Sequence, residues 1–357
     1  MVDATSPLTS SSDGRALVSE PYLSVVVVGR NDGYGGDFLG RTTLFLDSVA
    51  HTARSQHLPV EVVMVEWNPP AYAPPLAEAL RPLRSTRRSS DRLPVRFVTD
   101  PPELHQVRDG ADLLPIFEFA AKNVGIRRAK GEYLLCSNPD VILSKELARY
   151  IGRRSLQPRT FYRADRYDVT PPPGRSRVRA TRAWAGHHVV SVNRLGESIA
   201  FDPPATMRQI RAELRRRELA GGSSGTGTEQ PQDTDPLAEL HTNAAGDFML
   251  MRRDEWEELG GYPELVSPWH VDAYLVAIAA SAGLRQVVLP PSAPVFHHEH
   301  ERAIDRNNLV ASTRPVNDYA TFREDAEAMT RARKPLAFND DSWGLAGVDL
   351  AERELLW

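Results

Sequence analysis

Apolar residues follow two different patterns along this chain, and the change separates its first half from its second. Leu23-Ser24-Val25-Val26-Val27-Val28 is a nearly unbroken apolar run of strand length, as is Val60 to Glu66, and shorter runs stand at Val95-Arg96-Phe97-Val98 and Glu132 to Cys136. Continuous apolar strands are those buried on both faces, as in a parallel sheet covered by helices. Phe38, Leu39, Leu46 and Val49 fall at near-helical spacing, and Lys122-Asn123-Val124-Gly125-Ile126 reads as a helix feeding the fourth strand. Strands alternating with helices predict an α/β fold with a doubly wound sheet and helices on both faces. Such sheets bind ligands at the carboxyl ends of their strands. Asp140, just beyond the fourth strand in Ser137-Asn138-Pro139-Asp140, is therefore the first residue to suspect.

The second half is less regular. Residues 149 to 182 carry ten arginines, with Asp165 and Asp168 among them, and residues 221 to 236 have the Gly/Ser composition of a linker. Order returns at about Thr242, with a strand at Phe248 to Met251, a helix from Arg253 to Leu259, and a helix from Val271 to Ala282 ended by Gly283. Val287 to Leu289 and Val295-Phe296 lead into His297-His298-Glu299-His300. This divides the chain into a disordered leader (1–20), a folded domain (21–305) and a C-terminal extension (306–357). The Gly/Ser-rich residues give a flexible insertion at about 216–241, expected to be a mobile loop near the site.

Composition narrows the function classes. A formal charge of −4 argues against wholesale nucleic-acid binding, which needs a basic face. The single cysteine, Cys136, excludes an internal disulfide and is compatible with a reducing compartment. The polar, Ser-rich start has no apolar signal core, and no apolar run of bilayer length is evident, so a cytoplasmic location is expected, with room for a peripheral membrane contact. The arginines of 149–182 fit a solvated surface, or an attraction to an anionic acceptor or lipid headgroup, and their spacing does not decide.

The glycines after the first strand, Gly29, Gly33, Gly35 and Gly36, do not form Gly-x-Gly-x-x-Gly, which disfavours a dinucleotide-binding dehydrogenase. Asn31 and Asp32, taken alone, fit a turn. His297-His298-Glu299-His300 tempts a zinc reading, but a strand sends alternate side chains to opposite faces, so these four cannot all converge on one ion unless the strand ends there. Asp272, taken alone, fits a helix-start acid.

Two stretches together resemble the nucleotide-sugar glycosyltransferases of the GT-A fold, family-2 type. One is Lys122-Asn123-Val124-Gly125 with Asn138-Pro139-Asp140, similar to that family's (Arg/Lys)-Asn-x-Gly helix start and Asp-x-Asp metal motif, with Asn138 replacing the first carboxylate. The other is Gly246-Asp247 through Gly260-Gly261-Tyr262-Pro263-Glu264, followed by Trp269-His270-Val271-Asp272, where only Asp272 of the family's Glu-Asp pair is retained. The resemblance covers roughly residues 22 to 300, and it implies that 21–305 is a catalytic domain with a nucleotide-binding half at about 21–145 and an acceptor-side half at about 242–305. It implies a donor site at Asn31, Asp32, Glu66, Lys122, Asn123, Asp140 and Asp247, with Lys122 beside the diphosphate and Asn123 bracing the loop. It further implies a divalent Mn or Mg ion on Asp140 and a single histidine, His297 or else His298, with the others exposed, and Asp272 as the base of an inverting transfer. The partners implied are a nucleotide-sugar donor, UDP-linked, and a glycan, lipid-linked or small-molecule acceptor. A sugar-phosphate nucleotidyltransferase is the alternative enzyme, and a nucleotide- or carbohydrate-binding pseudoenzyme the alternative without chemistry.

Overall fold

A computed structural model describes residues 20–80, 92–172, 178–221, 237–300 and 318–357. The first half runs β1 (Leu23–Gly29), α1 (Phe38–Ser55), β2 (Val60–Trp67), α2 (Leu76–Ala79), β3 (Pro94–Asp100), α3 (Pro102–Gln106), α4 (Glu118–Arg128) and β4 (Tyr133–Cys136). β1 pairs in parallel with both β2 and β4, and β2 with β3. The chain thus steps outward from β1 to β3, then returns to the far side of β1. That reversal opens a crevice at the carboxyl ends of β1 and β4.

The unbroken valines of β1 divide between two cores. Val25 and Val27 pack with Phe45, Met64 and Leu135, while Val26 and Val28 pack with Val65, Val124 and Leu134. Gly125 is required where α4 crosses the sheet, because a Cβ there would lie 2.5 Å from Val26 Cγ1. The helix therefore sits close enough to fix its flanking residues relative to the strand ends.

After β4 come β5 (Val141–Leu143), α5 (Lys145–Gly152), β6 (Thr160–Arg163), β7 (Arg166–Val169), α6 (Val178–Ala185), β8 (Val189–Arg194), β9 (Glu197–Ala205) and α7 (Met207–Gly221). They are followed by β10 (Met249–Arg252), α8 (Arg253–Leu259), α9 (Val271–Ser281), β11 (Arg285–Val288), β12 (Val295–His298), α10 (Tyr319–Ala332) and β13 (Ala351–Leu356). The first sheet has the order β11-β6-β10-β4-β1-β2-β3-β13, and a second has the order β5-β12-β7-β8-β9. The fold is mixed α/β, with two mixed sheets and helices packed against them. Among the described residues no helix is long and apolar enough to cross a membrane.

The second sheet is where the sequence reading was least complete. Its strands are short and two-faced: Tyr167, Val169 and Phe296 enter an apolar core with Ile210 and Leu214 of α7, while Arg166, Asp168 and His297 project from the other side. The arginines of 149–182 are not all a solvated surface, as β6 of the first sheet shows. Arg163 is fully buried and donates to the carbonyls of His241 and Asn243 at 3.0 and 2.9 Å.

Of the 216–241 segment expected to be a mobile loop, residues 216–221 complete α7, and His241 is buried against Asp165 at 3.1 Å. Residues 222–236 lie outside the described residues, as does the 1–19 part of the expected leader. A helical continuation and a buried polar pair hold the two ends of that segment, which composition alone does not reveal. At the other edge, β13 runs antiparallel to β3, and the buried Trp357 donates its indole N–H to Asp47 at 2.9 Å.

Candidate active site and metal centre

Glu66, Asp100 and Asp140 lie at or just beyond the carboxyl ends of β2, β3 and β4. Past β4, Ser137 Oγ donates to the Asp247 carbonyl at 2.8 Å, and Asn138 Nδ2 donates to Asp247 Oδ1 at 2.8 Å. The other Asp247 oxygen is 2.8 Å from Arg166. The amide at 138 thereby gains a physical reason. A carboxylate there would face the buried Asp247 carboxylate and repel it, whereas Asn donates to it.

Asp140 meets two histidines. Its Oδ2 is 3.0 Å from His300 Nε2 and 3.6 Å from His297 Nε2. One ligand atom from each of Asp140, His297 and His300 can be chosen so that all lie within 4.8 Å of one another. The expectation that only His297 or His298 takes part, with the rest exposed, needs correcting. β12 ends at His298, so the alternation rule stops there and His300 returns to the side of His297, its side chain 6% exposed. His298 is buried instead, with its Nε2 unpartnered and burial pushing its pKa down to about 4.

Burial disfavours charge on His297, but Asp140 and Asp168 overcome it and push the imidazole up to about 10. Burial likewise works against the Asp140 carboxylate, yet His297 and His300 hold it well below the usual carboxylate range. Asp140 Oδ1 is buried with no hydrogen-bond partner. An orphaned oxygen beside two imidazoles is a donor set that fits a divalent ion, and the mixture of nitrogen and oxygen suits Mn²⁺ better than Mg²⁺.

Asp272 lies in the first turn of α9, half-buried, accepting from Gly246 N at 2.7 Å and Ala273 N at 2.9 Å. Lys122 contacts the same turn from the other side: its Nζ bonds the Gly246 carbonyl at 2.9 Å and Glu118 at 2.7 Å. It is 0% exposed. Enclosed in this way, Lys122 positions the Gly246 turn. Asn123 does brace a loop: it donates to the Tyr262 carbonyl at 2.8 Å and accepts from Tyr262 N at 2.8 Å.

The residues expected to hold the nucleoside are near the strand ends but are engaged locally. Asn31 donates to the Pro74 carbonyl at 2.7 Å, and Asp32 pairs with Arg30 at 3.0 Å while accepting from Tyr34 N. Glu66 is buried, accepts from Leu76 N at 2.8 Å at the start of α2, and has its pKa raised by burial. Sequence reasoning missed Asp100, whose two carboxylate oxygens are buried without partners and whose carboxyl burial pushes up to about 7. Its signal was its place at the end of an apolar strand, directly before Pro101-Pro102.

No family model matches the chain, and no curated protein matches it. Among solved structures it is similar to GalNAc-T7 with UDP, GalNAc and Mn²⁺, at 14% identity and a TM-score of 0.45, covering 86% of this chain and 49% of that one. It is also similar to S. aureus TarS, at 14% identity and a TM-score of 0.40, covering 87% of this chain and 43% of that one. A third is S. aureus TarS 1-349 in complex with UDP-GlcNAc, at 13% identity and a TM-score of 0.42, covering 87% and 72%. The chain spans about half the length of the first of these.

Proposed function

We propose that this protein is a metal-dependent glycosyltransferase that moves a sugar from a nucleotide diphosphate, UDP-linked, to an acceptor hydroxyl with inversion. The observation that carries this reading is the convergence of Asp140, His297 and His300 beyond β4, beside the crevice of a doubly wound sheet. The motif resemblance of the Lys122–Asp140 and Gly246–Asp272 stretches supports it. Asp140, His297 and His300 would hold Mn²⁺ or Mg²⁺, and such an ion, when bound, offsets the charge of a diphosphate leaving group.

The chain's own residues supply the rest. Asn31, Asp32, Glu66 and Asp100 border the nucleoside side, their oxygens suited to base or ribose N–H and O–H donors. Asp247, fixed from two sides by Asn138 and Arg166, orients the donor sugar. Asp272 takes the acceptor hydroxyl proton. Its two backbone amide donors hold the carboxylate still and leave lone pairs free to accept that proton. The Gly260–Glu264 loop, braced by Asn123, forms the acceptor side. Incubation with a panel of nucleotide sugars, with Mn²⁺ and with EDTA, tests the proposal: metal-dependent release of nucleoside diphosphate from a UDP-sugar is expected, and release from no donor contradicts it.

A binding protein without transfer is the second reading. The same two amide bonds favour it, because each carboxylate oxygen of Asp272 already accepts a hydrogen bond. Donor binding without turnover in that panel would select it.

A further inference from the structure

A second site stands apart from the metal centre. Helices α1, α5, α6 and α7 surround a cavity of about 920 Å³ that reaches Phe296 and Ser144. Phe296 and His297 are neighbours on β12 and point to opposite faces, so this cavity lies across the second sheet from the histidine cluster. Ser144 and Asp140 flank β5 at its two ends, roughly 13 Å apart along an extended strand.

The cavity wall is strongly basic. Lys145, Arg149, Arg179, Arg182 and Arg211 line it against a single carboxylate, Glu146. Glu146 engages Arg149 at 3.7 Å, with both side chains about half exposed. Lys145, Arg179 and Arg211 have no ion pair among the described residues. Arg182 is half-buried; its guanidinium donates to Thr52 Oγ1 at 3.1 Å, and its buried Nε has no partner. Burial pushes Arg182 down to about 10, with Glu146 the carboxylate that opposes the shift. A half-buried cation without a close counter-ion is costly unless an anion from solution supplies one.

We propose that this cavity is a ligand site distinct from the metal centre, taking a small phosphate-bearing molecule whose anionic group lies against Arg179 and Arg182. The cavity is far larger than one phosphate and falls within the size range of small-molecule pockets. Met207 and Phe296 give the organic part of such a ligand apolar wall. The exposed cations at the rim draw the anion in, and the recessed guanidinium holds it. The site stands on its own residues, whatever the chemistry at Asp140.

Inorganic pyrophosphate is the minimal probe, titrated calorimetrically into the full chain in EDTA so that no metal–diphosphate complex forms. Saturable binding is expected that weakens with salt. Arg179→Gln/Arg182→Gln should weaken it by about tenfold or more, from the loss of two charge-assisted contacts, and Glu146→Gln, which removes the one carboxylate, should tighten it. Absence of saturable binding, or wild-type affinity in the double variant, overturns the proposal. Pelleting with phosphatidylglycerol vesicles that pyrophosphate does not displace would also overturn it, since the cations would then form a membrane-facing surface.

Discussion

His297 Nδ1 stands 2.8 Å from Asp168 Oδ1, while Nε2 of the same ring turns toward Asp140. Asp168 is itself fixed by Asn193 at 2.7 Å, by Ser191, and by Arg166 at 3.1 Å, so the ring is held from behind by a network on the polar face of the second sheet. A carboxylate behind a metal-facing imidazole fixes its tautomer and raises its strength as a ligand. On the proposed function, Asp168 is a positioning residue that acts through His297.

Asp168→Ala should therefore weaken Mn²⁺ affinity by roughly 10- to 100-fold while leaving the fold intact. Calorimetric titration of Mn²⁺, with circular dichroism as the control for folding, checks this. Wild-type affinity in a folded variant would remove Asp168 from the metal centre.

Asp272→Asn should lower kcat by about a hundredfold or more, because it removes the proton acceptor, with nucleotide affinity changed by no more than about threefold. Turnover and binding measured on one preparation separate the two effects. A folded variant with undiminished turnover rules Asp272 out as the base.

Gly261 has φ +72°, and a Cβ on it would lie 2.4 Å from Asn123 Oδ1. Gly261→Ala should therefore cost about 1–3 kcal/mol from backbone strain and displacement of Asn123. Urea unfolding measures the loss, and stability equal to wild type would mean that the loop is not held as described.

Asp100 carries a pH signature. Burial raises its carboxyl from 3.8 to about 7, so between these values the folded protein keeps a proton that the unfolded chain releases. Its contribution to stability is complete below about pH 4 and is lost as pH rises through 7. Asp100→Asn abolishes that loss, so the Tm difference, variant minus wild type, should be larger at pH 8 than at pH 5. A difference independent of pH would show that Asp100 ionises as freely folded as unfolded.

The parallel strands β1 to β4 of the first sheet were legible because runs such as Val25 to Val28 are buried on both faces of the sheet and so read as continuously apolar. Asp140 was found by the same logic, as the first carboxylate past a buried strand. The second sheet was not legible: Arg166-Tyr167-Asp168-Val169 alternates over only four residues, too few to stand out from an arginine-rich stretch. β13 escaped notice because Ala351–Leu356 is an edge strand with mostly exposed side chains. The enclosure of Lys122 by Glu118 and the Gly246 carbonyl was not legible, because lysine is usually solvated and nothing local in the sequence marks this one as buried. His300 was missed because alternation was extended past the point where β12 stops.

The most direct test is calorimetric titration of UDP into wild type and Asp140→Ala, each with Mn²⁺ and with EDTA. If Asp140, His297 and His300 hold the ion that receives the diphosphate, wild type binds UDP at least about tenfold more tightly with Mn²⁺, and Asp140→Ala loses that advantage while keeping its metal-free affinity. Equal UDP affinity in all four titrations, or no binding in any, would contradict a metal-dependent nucleotide site.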